Sequence, residues 1–366
     1  MTTISKFLKK PVSSLFLSVF CGFVTSFIIL AITGYSPFEV ASSLFNGIFS
    51  RPKHIMNVVI KGMPIIFTGI SVAFAFKGGL FNMGAEGQFI VGTIASLIAG
   101  SIFDLPPFFQ VLVVVVFGTL AGTLLGGLTG FLKAKFGTHE VITGIMFNWI
   151  ALYISNFVVS LKNFHRPNSN STFPMKDSGF TGLRGNLGFL KDSFFSDILK
   201  TEVNVGIIVA IVVAIFVSFI LNKTQKGYEI CAAGLNAEAA KFAGMNVYKN
   251  TIYVMMISGG ISGLAAALSI TGTSPHSISI LAGFENNGFN GLSVALIANN
   301  SPIGCIFSGL FFSGLIYGGK SMQSDLKTPS EIINIMMGVI VFFVAVARIF
   351  PIIVDRLLKR RQKSNG

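Results

Sequence analysis

The chain has 366 residues, of which 52% are hydrophobic and only 11% charged. Soluble domains carry about 25% charged residues, so too few polar groups are present to cover a water-facing surface, and the chain reads as a membrane protein. Its net charge of +13 does not imply a nucleic-acid partner. The basic residues fall in loops and at the C-terminus, between apolar runs, where cytoplasmic loops of membrane proteins carry them anyway.

Lys6, Lys9 and Lys10 precede an apolar run in the manner of a signal peptide. That run continues over about 12–33 with no small-residue cleavage site, so it is read as the first span. Further runs able to cross a bilayer fall at about 55–76, 86–104, 107–131, 141–161, 203–221, 252–272, 278–298, 302–319 and 331–350. The expectation is an all-α, polytopic integral membrane protein of about ten transmembrane helices, some of them broken, in two related halves. A single domain over residues 1–366 is expected.

With the N-terminus inside, alternation places Lys133, Lys135, the loop at about 222–251 and the basic tail at about 351–366 in the cytoplasm, as the positive-inside rule asks. The loop at about 162–202 falls outside, its basic residues offset by Asp177, Asp192, Asp197 and Glu202. Its Gly, Ser, Asn and Pro content reads as turn chemistry, in either a solvated connector or a docking surface. Cys21, Cys231 and Cys305 lie in two spans and a cytoplasmic loop and form no disulfide or metal framework. His139, His165 and His276 have no partner at metal-ligand spacing, so no metal site is expected.

Gly62, Met63 and Pro64 interrupt the second span, and Gly78, Gly79, Gly84 and Gly87 surround the start of the third. Broken helices free backbone groups, which are tolerated at membrane depth only where protein or a water-filled cavity receives them. Such breaks at matching places in two halves point to a transport site. The candidates are residues 76–88 and 283–291, on opposite sides of the central loop, and an internal duplication is the hypothesis they raise.

Polar groups inside spans mark function by default, although many simply bind helices together. Asn82, Glu86 and Gln88 are candidates for the translocation pathway; the alternative is that they hydrogen-bond a broken helix to its neighbours. Asn148 and Trp149 lie mid-span, where an indole could stack on a flat ring and an amide could read its polar edge. Glu285, Asn287 and Asn290, with Asn286, form the densest polar cluster, suited to a cavity or to a well-satisfied kink. The 38 phenylalanines are packing or lipid-facing residues.

The loop at about 222–251 reads NKTQKGYEICAAGLNAEAAKFAGMNVYKNT. Asn236 is a favoured N-cap, residues 237–243 suit a short helix and Gly244 suits its end. Glu238 in the first turn and Lys241 one turn later complement the helix dipole. Such a helix presents Ala239, Phe242 and Ala243 as an apolar knob.

Four strings, GGLFNMGAEGQFIVG, HEVITGIMFNWIALYISN, GLNAEAAKFAGMNV and GFNGLSVALIANNSPIG, resemble in that order the permease subunits of bacterial nucleoside and simple-sugar ABC importers. The likeness covers most of the chain beyond the first span. It implies a bacterial inner-membrane machine in which an extracytoplasmic solute-binding lipoprotein delivers substrate, two permeases form the path and cytoplasmic ABC ATPases drive it. The GAEGQ-bearing type pairs with a shorter permease, so a heterodimer is implied. ATP and Mg²⁺ then belong to the ATPase, and this chain is expected to supply no phosphate-binding loop, catalytic residue or cofactor of its own.

By the same resemblance, Gly234, Leu235, Asn236, Glu238, Ala239, Ala240, Ala243 and Gly244 stand at positions of the segment that couples to the ATPase. The chain departs from the pattern at Ala237, where Pro is common, and at Asn290, where an acid is common. The implied cargo is a neutral polar solute, purine nucleosides first, then simple sugars or a flavin-type vitamin. A membrane enzyme would need clustered acids, yet Glu86, Glu140 and Glu285 are spread along the chain. An ion-coupled secondary transporter would have no need of the central motif.

Overall fold

A computed structural model describes residues 11–182 and 201–346. The lysines of the N-terminal ten residues, most of the charged half of the loop at about 162–202 and the basic tail lie outside that range. Thirteen α-helices occur among the described residues: α1 (Pro11–Ile32), α2 (Pro37–Phe49), α3 (Pro52–Lys77), α4 (Ala85–Ile102), α5 (Pro107–Phe136), α6 (Glu140–Ser160), α7 (Gly206–Lys223), α8 (Gln225–Leu235), α9 (Ala237–Phe242), α10 (Val247–Gly272), α11 (Asn287–Ile297), α12 (Gly304–Leu326) and α13 (Ser330–Ala345). Six of them, α3 to α7 and α10, are long and apolar enough to cross a membrane. The fold is all-α and polytopic, as the apolar runs require.

The chain forms two compact units. One holds α1, α2, α13 and the second half of α12. There α1 lies against α13 at Gly22, where an added Cβ would stand 2.8 Å from the Cα of Ile340. Ser43 of α2 donates to Asp325 Oδ2 at 2.8 Å, and Leu30, Val40, Leu44, Met322 and Met336 form the core.

The other unit, Arg51–Ser313, is built on three close-packed helices. Gly118, Gly122, Gly126 and Gly130 repeat every fourth residue along α5, and Met255, Gly259, Gly263 and Ala267 do the same along α10. Residues four apart share a helix face, and here the glycine face of α5 meets α10 at Gly259 and Gly263. A Cβ on Gly122 would lie 2.8 Å from the Cα of Gly263, and one on Gly126 would lie 3.0 Å from that of Gly259. A Cβ on Gly92 of α4 would lie 2.8 Å from the same Gly263 Cα. Without water between helices to drive association, such small-residue faces supply dispersion contact by letting backbones approach. This pattern was in the sequence, as a fourfold glycine period rather than as a break.

Two expected features differ. The second span is not broken at Gly62, Met63 and Pro64: α3 runs unbroken through Pro64. A proline removes only one helical hydrogen bond, and α3 is buried on every side over 62–75, where neighbours tolerate the freed carbonyl. The interruption lies at Gly78–Gly84, between α3 and α4. The run at 278–298 is not one helix either. Its first part is non-helical, entered through His276 at φ +56 and left through Asn286 at φ +65, and only the eleven residues of α11 are helical. Hydropathy counts apolar residues and is blind to backbone conformation.

Candidate functional site

The central loop folds as two short helices. Thr224 Oγ1 accepts the Gly227 N–H at 3.0 Å and starts α8. Asn236, extended at φ −154 and ψ 103, ends α8 and caps α9, its Oδ1 accepting the Ala239 N–H at 3.0 Å. Gly244, at φ +79, takes the left-handed conformation that ends a helix. The local signals therefore produce the helix they predict, one residue shorter than expected. Ala240 is buried, whereas Ala239 and Ala243 are exposed, and Leu235 and Phe242 stand 89% and 93% in the open. Two large apolar side chains so exposed, on a six-residue helix and its flank, make an apolar surface patch on the described residues.

Immediately before Leu235, the chain presses on the turn between α3 and α4. A Cβ on Gly234 would lie 2.5 Å from the Lys77 carbonyl oxygen and 2.6 Å from the Gly79 nitrogen. Only a pair of glycines lets two backbones come this near, and Gly79 also needs its positive φ of +72.

That turn is satisfied by side chains. Asn82 Oδ1 accepts from Gly84 N and from Gln88 Nε2, each at 3.1 Å. Asn82 Nδ2 donates to Gln88 Oε1 at 2.8 Å and to Ser258 Oγ at 2.7 Å. Ser258 continues into Ser71 and Ser262, the hydroxyls 2.9 Å apart at each step. Asn148 of α6 accepts the Gly87 N–H at 2.7 Å and donates to the Met83 carbonyl at 2.9 Å. Asn82, Gln88, Asn148 and the three serines are all buried to 1% exposure or less. Below them, Glu140 accepts from Lys133 and from the Phe81 N–H, closing the turn.

The second non-helical segment, between α10 and α11, is held at three heights. At one end, Thr172 N donates to Ile278 O at 2.9 Å and Ile280 N to Asn170 O at 2.8 Å, so the loop that follows α6 pairs with it. Midway, Asn156 of α6 both donates to Leu281 O at 2.9 Å and accepts from Leu281 N at 2.8 Å, replacing a strand neighbour. At its other end, the Glu86 carboxylate accepts the Asn286 N–H at 2.9 Å and the Gly288 N–H, and Thr68 Oγ1 donates to Asn287 O at 2.8 Å. The two interrupted segments, 200 residues apart in sequence, thus meet at one carboxylate.

Beyond that junction the surface is open. Glu285 and Asn286 are exposed, Asn287 and Asn290 half-buried, and Asn287 Nδ2 donates to Glu285 Oε2 at 3.1 Å. Trp149, 44% exposed, meets Phe284 edge to face at 4.7 Å.

Residues 54–345 match the family described as branched-chain amino acid transport system / permease component. The chain belongs to this permease family. The permease is 34% identical over 345 residues to the guanosine ABC transporter permease protein NupP of Bacillus subtilis, covering 94% of this chain and 96% of that one. It is 33% identical over 344 residues to the nucleoside ABC transporter permease protein NupB of Lactococcus lactis, 93% and 92% of the two chains. A guanosine ABC transporter permease protein from the same Bacillus, NupQ, matches at 28% over 287 residues, 76% of this chain and 85% of its own.

The permease thus sorts its polar candidates into two sets. Asn82, Glu86, Gln88 and Asn148 are brought together around the gap, their hydrogen bonds made to protein. Trp149, Glu285, Asn287 and Asn290 lie together at an open face. Asn156, Thr68 and the Ser71, Ser258 and Ser262 hydroxyls serve the same two segments and were not singled out; polar residues four apart on one helix, such as Ser258 and Ser262, were the available signal. One further string, Gly314 to Ser321 reading GLIYGGKS, has the spacing GxxxxGK[ST], so the spacing alone did not support expecting none. It lies inside the continuous helix α12, where backbone N–H groups are spent on the helix and none is free to cradle phosphate.

Proposed function

We propose that this permease is the bilayer-crossing subunit of an ATP-driven bacterial importer that carries neutral nucleosides, purine nucleosides first. The cargo reading rests on the likeness to a guanosine permease over nearly the whole of both chains. The energy-coupling reading rests on one observation: a capped short helix with Leu235 and Phe242 in the open, backed by the Gly234–Gly79 contact onto an interrupted helix. Closure of a separate ATPase dimer, which binds ATP and Mg²⁺, moves α8 and α9 as a lever. Through Gly79 the motion reaches the turn at Asn82 and, through Glu86, the second segment.

The partners in this reading are that ATPase, a second and shorter permease, an extracytoplasmic solute-binding lipoprotein and the lipid of the inner membrane, with both termini of this chain in the cytoplasm. Two relatives in one Bacillus carry names for the same transported nucleoside, as a permease pair would. The outer loop that pairs with residues 278–280 is the surface for the binding protein. In cells, deleting this chain should abolish uptake of labelled guanosine, and unlabelled guanosine or adenosine should compete in the intact strain. Competition by ribose but by neither nucleoside would move the assignment to sugars.

A further inference from the structure

Trp149 is the tenth of the 21 residues of α6, about 14 Å from the helix start at 1.5 Å per residue. It is therefore near mid-length of a helix able to cross the bilayer. Phe284 packs on it at 4.7 Å, which puts the next residue, Glu285, at the same depth. Glu285 is nonetheless exposed. A carboxylate at the centre of a membrane is costly against lipid, and such residues face a bundle interior or a water-filled cavity. The face carrying Glu285 is therefore a wet one.

The buried set around Asn82 cannot serve this face. Both ends of the Asn148 amide and of the Asn82 amide are already bonded within the protein, so reading a substrate would cost those bonds. At the open face the chemistry is different. Trp149 offers an indole surface, backed by Tyr153 at 6.2 Å and by Phe284. Beside it, the Glu285 carboxylate receives one hydrogen bond, from Asn287, among the described residues. A carboxylate is an acceptor with about four lone-pair directions, so its remaining capacity calls for donors.

We infer that Trp149, Phe284, Glu285 and Asn287 form a substrate contact on the translocation path, selective for a neutral ligand that offers a flat face and two adjacent hydrogen-bond donors. This rests on the importer reading above and names the site that reads the cargo. A nucleoside carries such a donor pair in two places. One is the N1–H and 2-amino edge of guanine; the other is the 2′,3′-diol of ribose.

The test uses membrane vesicles holding the whole importer, with Cys21→Ala and Cys231→Ala and the buried Cys305 retained. Glu285→Cys is compared with Leu124→Cys on the apolar outer face of α5, using a charged, water-soluble methanethiosulfonate. The expected result is labelling at least about tenfold faster at 285, slowed by saturating guanosine. Equal rates at the two positions, or labelling that guanosine leaves unchanged in vesicles that transport it, would overturn the inference alone. Vesicles whose unsubstituted importer takes up no nucleoside would overturn the functional reading, and this inference with it.

Glu285→Gln gives the second arm. Loss of a bond to a charged group is worth roughly tenfold in apparent KM. If the base edge is read, guanosine and 2′-deoxyguanosine weaken alike and inosine, which lacks the 2-amino group, is spared. If the diol is read, guanosine and inosine weaken and 2′-deoxyguanosine is spared. An equal change for all three would overturn the donor-pair reading.

Discussion

The backbone of Gly79 lies against the backbone of Gly234, so close that a methyl on Gly79 would stand 2.7 Å from the Gly234 Cα. The contact joins the end of α8, one residue before the exposed Leu235, to the turn that carries Asn82 and leads into α4 at Glu86. Gly234→Ala should leave the ATPase bound but lower ATP-driven uptake by about tenfold or more, since the wedge shifts the lever off its turn. Gly79→Ala adds the left-handed penalty of about 1–2 kcal/mol and should also lower the melting temperature. Unchanged uptake by the Gly234 variant would show that force does not pass through this contact.

Leu235 and Phe242 make no use of their exposure within the chain. Replacing both by Asp should cut co-purification of the ATPase several-fold while the permease alone melts at its normal temperature. A loss of melting temperature instead would mark the two side chains as part of the fold.

At the junction of the interrupted segments, Glu86 accepts two buried backbone N–H groups. Glu86→Gln retains an acceptor and should be the milder change. Glu86→Ala leaves both donors unpaired, at about 1–3 kcal/mol each, and should lower thermal stability in detergent well below the Gln variant. Equal stability of the two variants would mean that water or relaxation satisfies those donors.

How much of this could be read in advance follows the range of the forces. The α9 helix was legible because its cap, its first-turn acid and its terminal glycine lie within nine residues. The preceding α8 reads as loop in the sequence, for its small and polar residues carry no apolar stripe and its position is set by Gly234 meeting Gly79 across the fold. The run at 278–298 misled because a satisfied non-helical segment at membrane depth has the same hydropathy as a helix. What satisfies it, Asn156 and Glu86, lies more than a hundred residues upstream. The polar candidates were found by residue type, but only geometry divides the bonded set from the open one.

The glycine face between α5 and α10 makes a separate prediction. Gly122→Val forces the side chain against Gly263, and overpacking costs typically 1–3 kcal/mol. Thermal unfolding should fall by that amount, with Gly137→Ala, where the residue at φ +67 has open space around it, a milder control limited to backbone strain.

Cys231 of α8 gives a pH prediction. Burial raises its thiol above the ordinary range, opposed in smaller part by Lys77. The folded protein therefore holds this proton more tightly than the unfolded chain. Any stability so gained is fully present below the ordinary thiol pKa of about 8.5 and is lost as pH rises through the folded value. Alkylation of Cys231 at neutral pH should be slower than that of a free thiol and should keep accelerating above pH 9, where the free thiol levels off. A plateau at the ordinary thiol pKa would show that the group is solvated.

The most direct measurement is guanosine uptake by proteoliposomes holding the permease, its partner permease, the ATPase and the binding protein. Uptake against a gradient should appear when ATP is supplied on the ATPase side and vanish without it, with or without a proton or sodium gradient. Accumulation driven by an ion gradient alone, with ATP absent, would contradict the account.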